Sequence, residues 1–160
     1  MRARYHAVSM GYDHTQKAPL YVILLVVAAG EVVAGAFVVK HAPGGAAVLW
    51  GCAVLMVLLA FCFRQLRVSD GGDCLRIAFG PIPLFRRRVP YASINGVEKA
   101  RSSWLHGWGI HGVPGRGSIW NLWGFGCVKL HLGGRVLMVG TDDVDGLAAF
   151  LAGKAAASRP

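Results

Sequence analysis

LYVILLVVAAGEVVAGAFVV, residues 20–39, decides how the rest of the chain is read. The run holds a single ionisable group, Glu31, and its length matches the ~20 apolar residues that an α-helix needs to cross a hydrocarbon core of ~30 Å. A second run, AAVLWGCAVLMVLLAFCF at residues 46–63, carries no charge at all. A cleaved signal peptide is the competing reading of the first run. Against it, the run begins only after a polar N-terminal stretch and lacks a tidy cleavage site followed by a soluble domain. Only Lys40-His41-Ala42-Pro43-Gly44-Gly45 joins the two runs, so they are expected to form an antiparallel transmembrane hairpin with both chain ends on one side. Arg2, Arg4 and Lys17 precede it and Arg64, Arg67 and Arg76 follow it, whereas the loop offers only Lys40. The excess of Lys and Arg on that side places both termini in the cytoplasm.

Composition points the same way. Of 160 residues, 54% are hydrophobic and 16% are charged, against roughly 25% charged in an average soluble domain. Such a composition excludes disorder and a collagen-like fibre. Seventeen basic residues against eight acids give a net charge of +9, which favours acidic partners, anionic lipid or nucleic acid among them. The positive-inside bias already explains part of that excess, so nucleic acid is not expected as a partner. Cys52, Cys62, Cys74 and Cys127 show no paired spacing and read as free thiols.

Within the first helix Glu31 lies where insertion of an acid costs ~2.5 to 3.5 kcal/mol, so it should face protein, water or a partner. A lone carboxylate makes a poor proton relay, and a protonated or hydrogen-bonded interface residue is the plainer reading. Around it Ala28, Ala29, Gly30, Ala34 and Gly35 let helices approach closely. Gly30, Glu31, Ala34 and Gly35 are therefore the expected packing face, toward the second helix or another membrane protein.

After Phe63 the pattern changes to alternation, the signature of strands with one buried face. Leu66 and Val68 alternate with Gln65 and Arg67, Asp70-Gly71-Gly72-Asp73 makes a turn, and Leu75, Ile77 and Phe79 return. Phe85–Val89 and Ile94–Arg101 supply two further candidate strands. Val128, Leu130 and Leu132 lead through Gly133-Gly134 into Arg135–Val139 as a second hairpin. Thr141-Asp142-Asp143 then offers side chains that accept the free N–H groups of a helix start. Val144, Leu147 and Leu151 follow at helical spacing with Phe150 beside them. The division expected is an N-terminal segment 1–17, a hairpin 18–63, a β domain 64–153 and a tail 154–160.

Two segments stand out. Trp104, Trp108, Trp120 and Trp123 are interleaved with glycines; their rings either fill gaps in a small sandwich or form an interfacial belt on the membrane, or serve a protein contact. In Arg86-Arg87-Arg88, strand geometry puts Arg86 and Arg88 on one face and Arg87 on the other with Phe85 and Val89. That pair, with Arg64 and Arg67, is either a solvated edge or a contact for anionic lipid or a partner.

The order of elements resembles the bacterial pleckstrin-homology-like domain family in its membrane-anchored form. The resemblance rests on Val68–Leu75, Phe79-Gly80-Pro81, Val89-Pro90 to Ile94, Gly107-Trp108-Gly109-Ile110, and Gly140-Thr141-Asp142-Asp143 leading into Leu147, and covers roughly residues 64–152. It implies a β sandwich or barrel of about seven strands with a C-terminal capping helix, located at the bacterial inner membrane and largely non-catalytic. Where the family commonly carries an arginine after Gly-Trp-Gly-Ile this chain has His111, so no anion contact is carried over.

No HExxH, GxSxG or GxxxxGK[ST] motif occurs. Gly107–Gly112 fits GxGxxG by letter but lacks the strand-before, helix-after context. His106 and His111 with Cys127 match no zinc spacing. The expectation is therefore no catalytic residue, no metal and no cofactor: a membrane-anchored α+β protein whose domain binds protein or lipid. The alternative is a small accessory subunit of a larger membrane complex, respiratory or photosynthetic. An enzyme centred on Glu31 or on His106 and His111 would lack a second catalytic group. The topology has a direct check. A Gly44→Cys variant should react with a membrane-impermeant maleimide added outside, and a reporter fused after Pro160 should be active only in the cytoplasm; labelling of Gly44→Cys from the cytoplasmic side alone reverses the orientation.

Overall fold

Asp13–Lys17 (β1) pairs antiparallel with Gln65–Asp70 (β2), with Lys17 opposite Gln65 and Asp13 opposite Ser69. The computed structural model describes residues 11–103, 108–113 and 117–158. Between these two strands the chain makes two apolar helices, Leu20–Val38 (α1) and Pro43–Cys62 (α2). The hairpin thus leaves and rejoins the same two-stranded ribbon. The segment before the helices is part of the β domain, and a boundary at residue 64 cuts through it. β1 also bears on the signal-peptide reading, because cleavage after α1 would strip a paired strand from the sheet.

α2 starts at Pro43, inside the stretch read from sequence as loop. Proline lacks only an N–H that a first helical turn leaves unbonded, and its fixed φ suits that turn. The two helices meet along Ala28 and Gly35 on α1 and Ala46, Ala53 and Ala60 on α2, all buried and each series spaced by heptads. Heptad spacing keeps one seam facing its partner, and small side chains bring the backbones together. The Trp50 ring lies over Gly35, where a Cβ would overlap it, and its Nε1 donates to the Val32 carbonyl at 3.3 Å. Outside the seam the helices are bare: 11% of the apolar window of α1 and 22% of that of α2 is buried. A core helix of a soluble protein would be mostly covered; these are long and apolar enough to span a membrane.

Cys74–Gly80 (β3) and Arg86–Pro90 (β4) complete a four-stranded sheet in the order β1-β2-β3-β4. A 3₁₀ turn at Tyr91–Ser93 leads to the second sheet. This is built from Gly96–Arg101 (β5), Gly109–Val113 (β6), Gly117–Asn121 (β7), Gly126–Leu132 (β8) and Arg135–Gly140 (β9), in the order β5-β8-β9-β7-β6. The described residues form nine strands where seven or so were expected; the glycine- and tryptophan-rich segment contributes β6 and β7. β7 runs parallel to β9. At its start Gly117 takes φ +128 against the Val136 backbone, a conformation and a closeness that only glycine tolerates. Gly133 and Gly134 both have positive φ between β8 and β9, as a tight two-residue turn requires.

The inward faces of the two sheets form one core with Val144–Ala157 (α3). Leu66, Val68, Leu75, Ile77, Phe79 and Val89 of the first sheet meet Val128, Leu130, Leu137 and Val139 of the second, with Leu147, Leu151 and Ala155 of α3. Asp143 caps the helix by accepting from Gly146 N at 3.0 Å. Its other carboxylate oxygen accepts from Tyr12 OH at 3.1 Å, and Tyr12 stacks on Phe150. At the far end of the helix Lys154 Nζ reaches Asp70 Oδ2 at 2.8 Å, while Tyr91 OH and Gly72 N donate to Asp70 Oδ1. α3 is therefore fastened at both ends to the first sheet.

Burial alone would raise the Asp70 carboxyl, but hydrogen bonds from Lys154, Gly72 N and Tyr91 outweigh it and hold the group below its ordinary value of 3.8. A depressed carboxylate contributes stability that is present above the unfolded value and is lost as pH falls through the folded one. Asp70→Asn should cost about 1 to 3 kcal/mol at neutral pH. In denaturant titrations below about pH 4 the gap between variant and parent should narrow; a gap that stays constant into acid would exclude an ionised Asp70 as the fastening.

Candidate functional site

Period-two geometry and the strand registers decide what lies on the outer face of the first sheet. Leu66, Val68, Leu75, Ile77 and Phe79 point inward, so the alternate positions point out. Across the four strands one outward row reads Thr15, Arg67, Ala78, Arg86 and the next reads Asp13, Ser69, Arg76, Arg88. Lys17 and Gln65 stand below them at the helix ends. Among the described residues Asp13 is the one acid at an outward strand position of this sheet, and it is taken up by Arg67, whose Nε donates to Asp13 Oδ1 at 2.8 Å and whose Nη2 contacts the second oxygen. That bond is the leading reason the Asp13 carboxyl lies below its ordinary value. Between Arg67 and Arg76 is a polar hollow of about 470 Å³, floored by Ser69 and Ala78 and bordered by Tyr12, Asp13 and Asp70.

Arg76 and Arg88 face each other directly across β3 and β4, and both are exposed. Like charges directly opposite in a sheet destabilise it. Arg86 and Arg88 share this face as the alternation of the triple arginine implies, whereas Arg87 turns away and donates from Nη1 to Ser118 Oγ at 2.7 Å, linking the sheets. Arg64 is not part of the face. It sits at the end of α2 with its guanidinium 5.6 Å from the Tyr21 ring. At ~3.3 Å per residue, the Arg67 row stands ~7 Å and the Arg76 row ~13 Å along the strand from Gln65. The cations thus form a ladder away from the hairpin. Arg76 appears in the sequence only as a flanking charge; its place opposite Arg88 depends on a register that no local pattern encodes.

The tryptophans divide. Trp120 is half-buried with its ring 5.8 Å from Phe79, and Trp123 is half-buried against the core. Trp108 is exposed and stacks on Trp123 at 4.0 Å. Trp104 and His106 lie outside the described residues. Gln16 Nε2 donates to Trp123 O at 3.0 Å, so the stack sits beside the last residues of β1, at the hairpin end of the domain.

On α1 the expected packing face divides. Gly35 is in the seam beneath Trp50, and Glu31 is half-buried with Oε2 out of solvent and without a hydrogen bond. Gly30 and Ala34 face outward. At ~3.6 residues per turn the seam through Ala28 and Gly35 leaves these two on another face.

Among the described residues no three His, Cys, Asp or Glu side chains gather as a metal site would require. His111 donates from Nε2 to the Trp108 carbonyl at 2.8 Å, and His131 pairs with Glu98. Burial pushes the Cys127 thiol up, away from the thiolate a nucleophile needs. No protein-family model, curated protein or solved structure matches the chain.

The opposed arginines carry a measurable cost. Arg88→Thr should stabilise the protein by about 0.2 to 1 kcal/mol at low ionic strength. That gain should shrink at ~0.5 M salt, where the screening length falls to a few ångströms; thermal unfolding at both salts measures it, and a gain independent of salt would assign it to β propensity instead.

Proposed function

We propose that the chain is a non-catalytic, multi-pass protein of the bacterial inner membrane with both ends in the cytoplasm. Its β domain, pleckstrin-homology-like, holds an anionic partner at the membrane surface through the outer face of the first sheet. The membrane part of this reading is supported by the two bare apolar helices and by Lys17 and Arg64 at their domain-side ends. The domain part is supported by two sheets closed by a C-terminal helix, with the difference that one strand precedes the hairpin.

The observation that carries the interaction is the arginine ladder. Four guanidinium groups surround Ala78; of the two carboxylates that border the hollow beside them, Asp13 answers Arg67 and Asp70 is committed to Lys154. An anion placed among them relieves the Arg76–Arg88 repulsion as well as gaining charge-assisted hydrogen bonds. Height separates two sources of anion. Lys17 and Arg64 stand at the helix ends, within reach of headgroups, whereas the Arg76 row stands above a screening length of ~8 Å and suits an acidic protein segment. A second reading, a small subunit of a larger membrane assembly, is favoured by the outward-facing Gly30 and Ala34.

Gentle solubilisation of native membranes followed by native electrophoresis tests this. The full chain should migrate in a larger species that ~0.5 M salt dissociates, and Arg76→Gln/Arg88→Gln should release it. A larger species insensitive to both favours docking through the hairpin. A lone species sinks the protein contact and leaves lipid as the partner of the ladder.

A further inference from the structure

The β3–β4 connection combines features that the basic face does not account for. From Gly80 to Phe85 it reads GPIPLF, without a charge, and Arg86-Arg87-Arg88 follows at once. Ile82 is 44% exposed and Leu84 68% exposed. These are the large apolar side chains a soluble domain would cover, and here they project from a five-residue loop.

Strand register fixes where that loop lies. β2 runs away from the end of α2 and β3 returns, so that Gly80 stands opposite Gln65. Residues 81–84 therefore continue past Gly80 to the level of Phe63 and Arg64, the last turn of the hairpin. Aromatic contacts hold it there: the Phe63 ring, one residue beyond α2, stacks on Phe85 at 5.4 Å and meets Phe79 edge-on at 5.0 Å. The loop is thus clamped on both sides to Phe63, the residue that follows α2.

Its backbone suits an apolar medium. Pro81 and Pro83 carry no N–H. Leu84 N donates within the loop to Ile82 O at 2.8 Å, and Phe79 N donates to Phe85 O at 2.9 Å across its base. Fewer N–H donors are left that would require water, which lowers the cost of placing this backbone in the hydrated interfacial layer rather than in the hydrocarbon core. Arg86 follows the loop directly in sequence and Arg64 lies at its level, cations of the kind that seat at headgroups beside an inserted apolar segment.

We propose that Pro81–Leu84 is a second membrane contact: a wedge that inserts Ile82 and Leu84 into the interfacial layer of the same bilayer that α1 and α2 span. The inference rests on the membrane reading of the hairpin. With the wedge in place the domain is held at three points, the two helix ends and this loop. Its tilt is then restricted, and the arginine ladder keeps a set height above the headgroups.

Spin labels on cysteines in the full-length protein, reconstituted in nanodiscs of mixed neutral and anionic phospholipid, test it. Three single variants are compared with the unsubstituted protein, which measures the contribution of the native thiols: Leu84→Cys in the loop, Val54→Cys on the exposed side of α2, and Asp73→Cys at the opposite end of β3. Leu84 and Asp73 are exposed, so the substitutions disturb little packing. The expected result is preferential collision of the Leu84 and Val54 labels with oxygen, and of the Asp73 label with a water-soluble nickel chelate. A Leu84 label that prefers nickel while Val54 prefers oxygen overturns the wedge and leaves the hairpin in the membrane. Low collision with both reagents at Leu84 shows protein covering the loop and equally overturns it. A Val54 label that prefers nickel overturns the membrane reading, and the wedge with it.

Discussion

The pairing of Lys17 with Gln65 is the constraint on which the rest of the molecule depends. Two strands separated by an entire helical hairpin are joined edge to edge, so the hairpin must begin and end at one place. Antiparallel helices satisfy this with the short turn between Val39 and Ala42, and the small-residue seam closes the space between them. Because β2 starts where α2 stops, every outward position on the first sheet acquires a defined height above the hairpin. The arginine ladder and the apolar loop are both consequences of that geometry.

The second organising contact is the fastening of α3. A helix laid across two sheets gains most of its stability from Leu147 and Leu151, which sit in the common core. Hydrophobic burial is non-directional, however, and does not say which way the helix points. Direction comes from its ends: Asp143 and Asp142 contact Tyr12 and His14 of the first strand segment, and Lys154 contacts Asp70 at the end of β2. All of these partners lie on or beside the β1–β2 ribbon. The strand that precedes the hairpin is therefore tied to the last element of the chain.

How much of this was legible in the sequence follows from what each element asks of its residues. α1 and α2 need only length and the absence of charge, and both stand out in the linear pattern. The β2–β3 and β8–β9 hairpins alternate cleanly because each has one face in the core. β1 does not alternate in hydrophobicity: its inward positions are His14 and Gln16, and Gln16 is buried through a hydrogen bond to the Trp123 carbonyl rather than through apolar contact. A polar strand of this kind looks like a tail until its partner is known. β6 and β7 are hidden for a different reason, since glycine dilutes their alternation and β7 pairs in parallel with β9. Among site residues, the common face of Arg86 and Arg88 was readable from period two alone. Arg76 was not, because its opposition to Arg88 is set by how the 81–85 loop closes.

The interrupted ribbon also bears on how the protein is made. β1 leaves the ribosome before either helix, and β2 only after both. If α1 alone were to cross the membrane, β1 and β2 would be left on opposite sides of it and the first sheet would lack its edge strand. Tyr12 and His14 would then be unable to reach α3. On the proposed membrane reading, completion of the β domain is conditional on insertion of both helices, and a chain with the wrong number of crossings would carry its own mark, an unfinished sheet that proteolytic quality control can recognise.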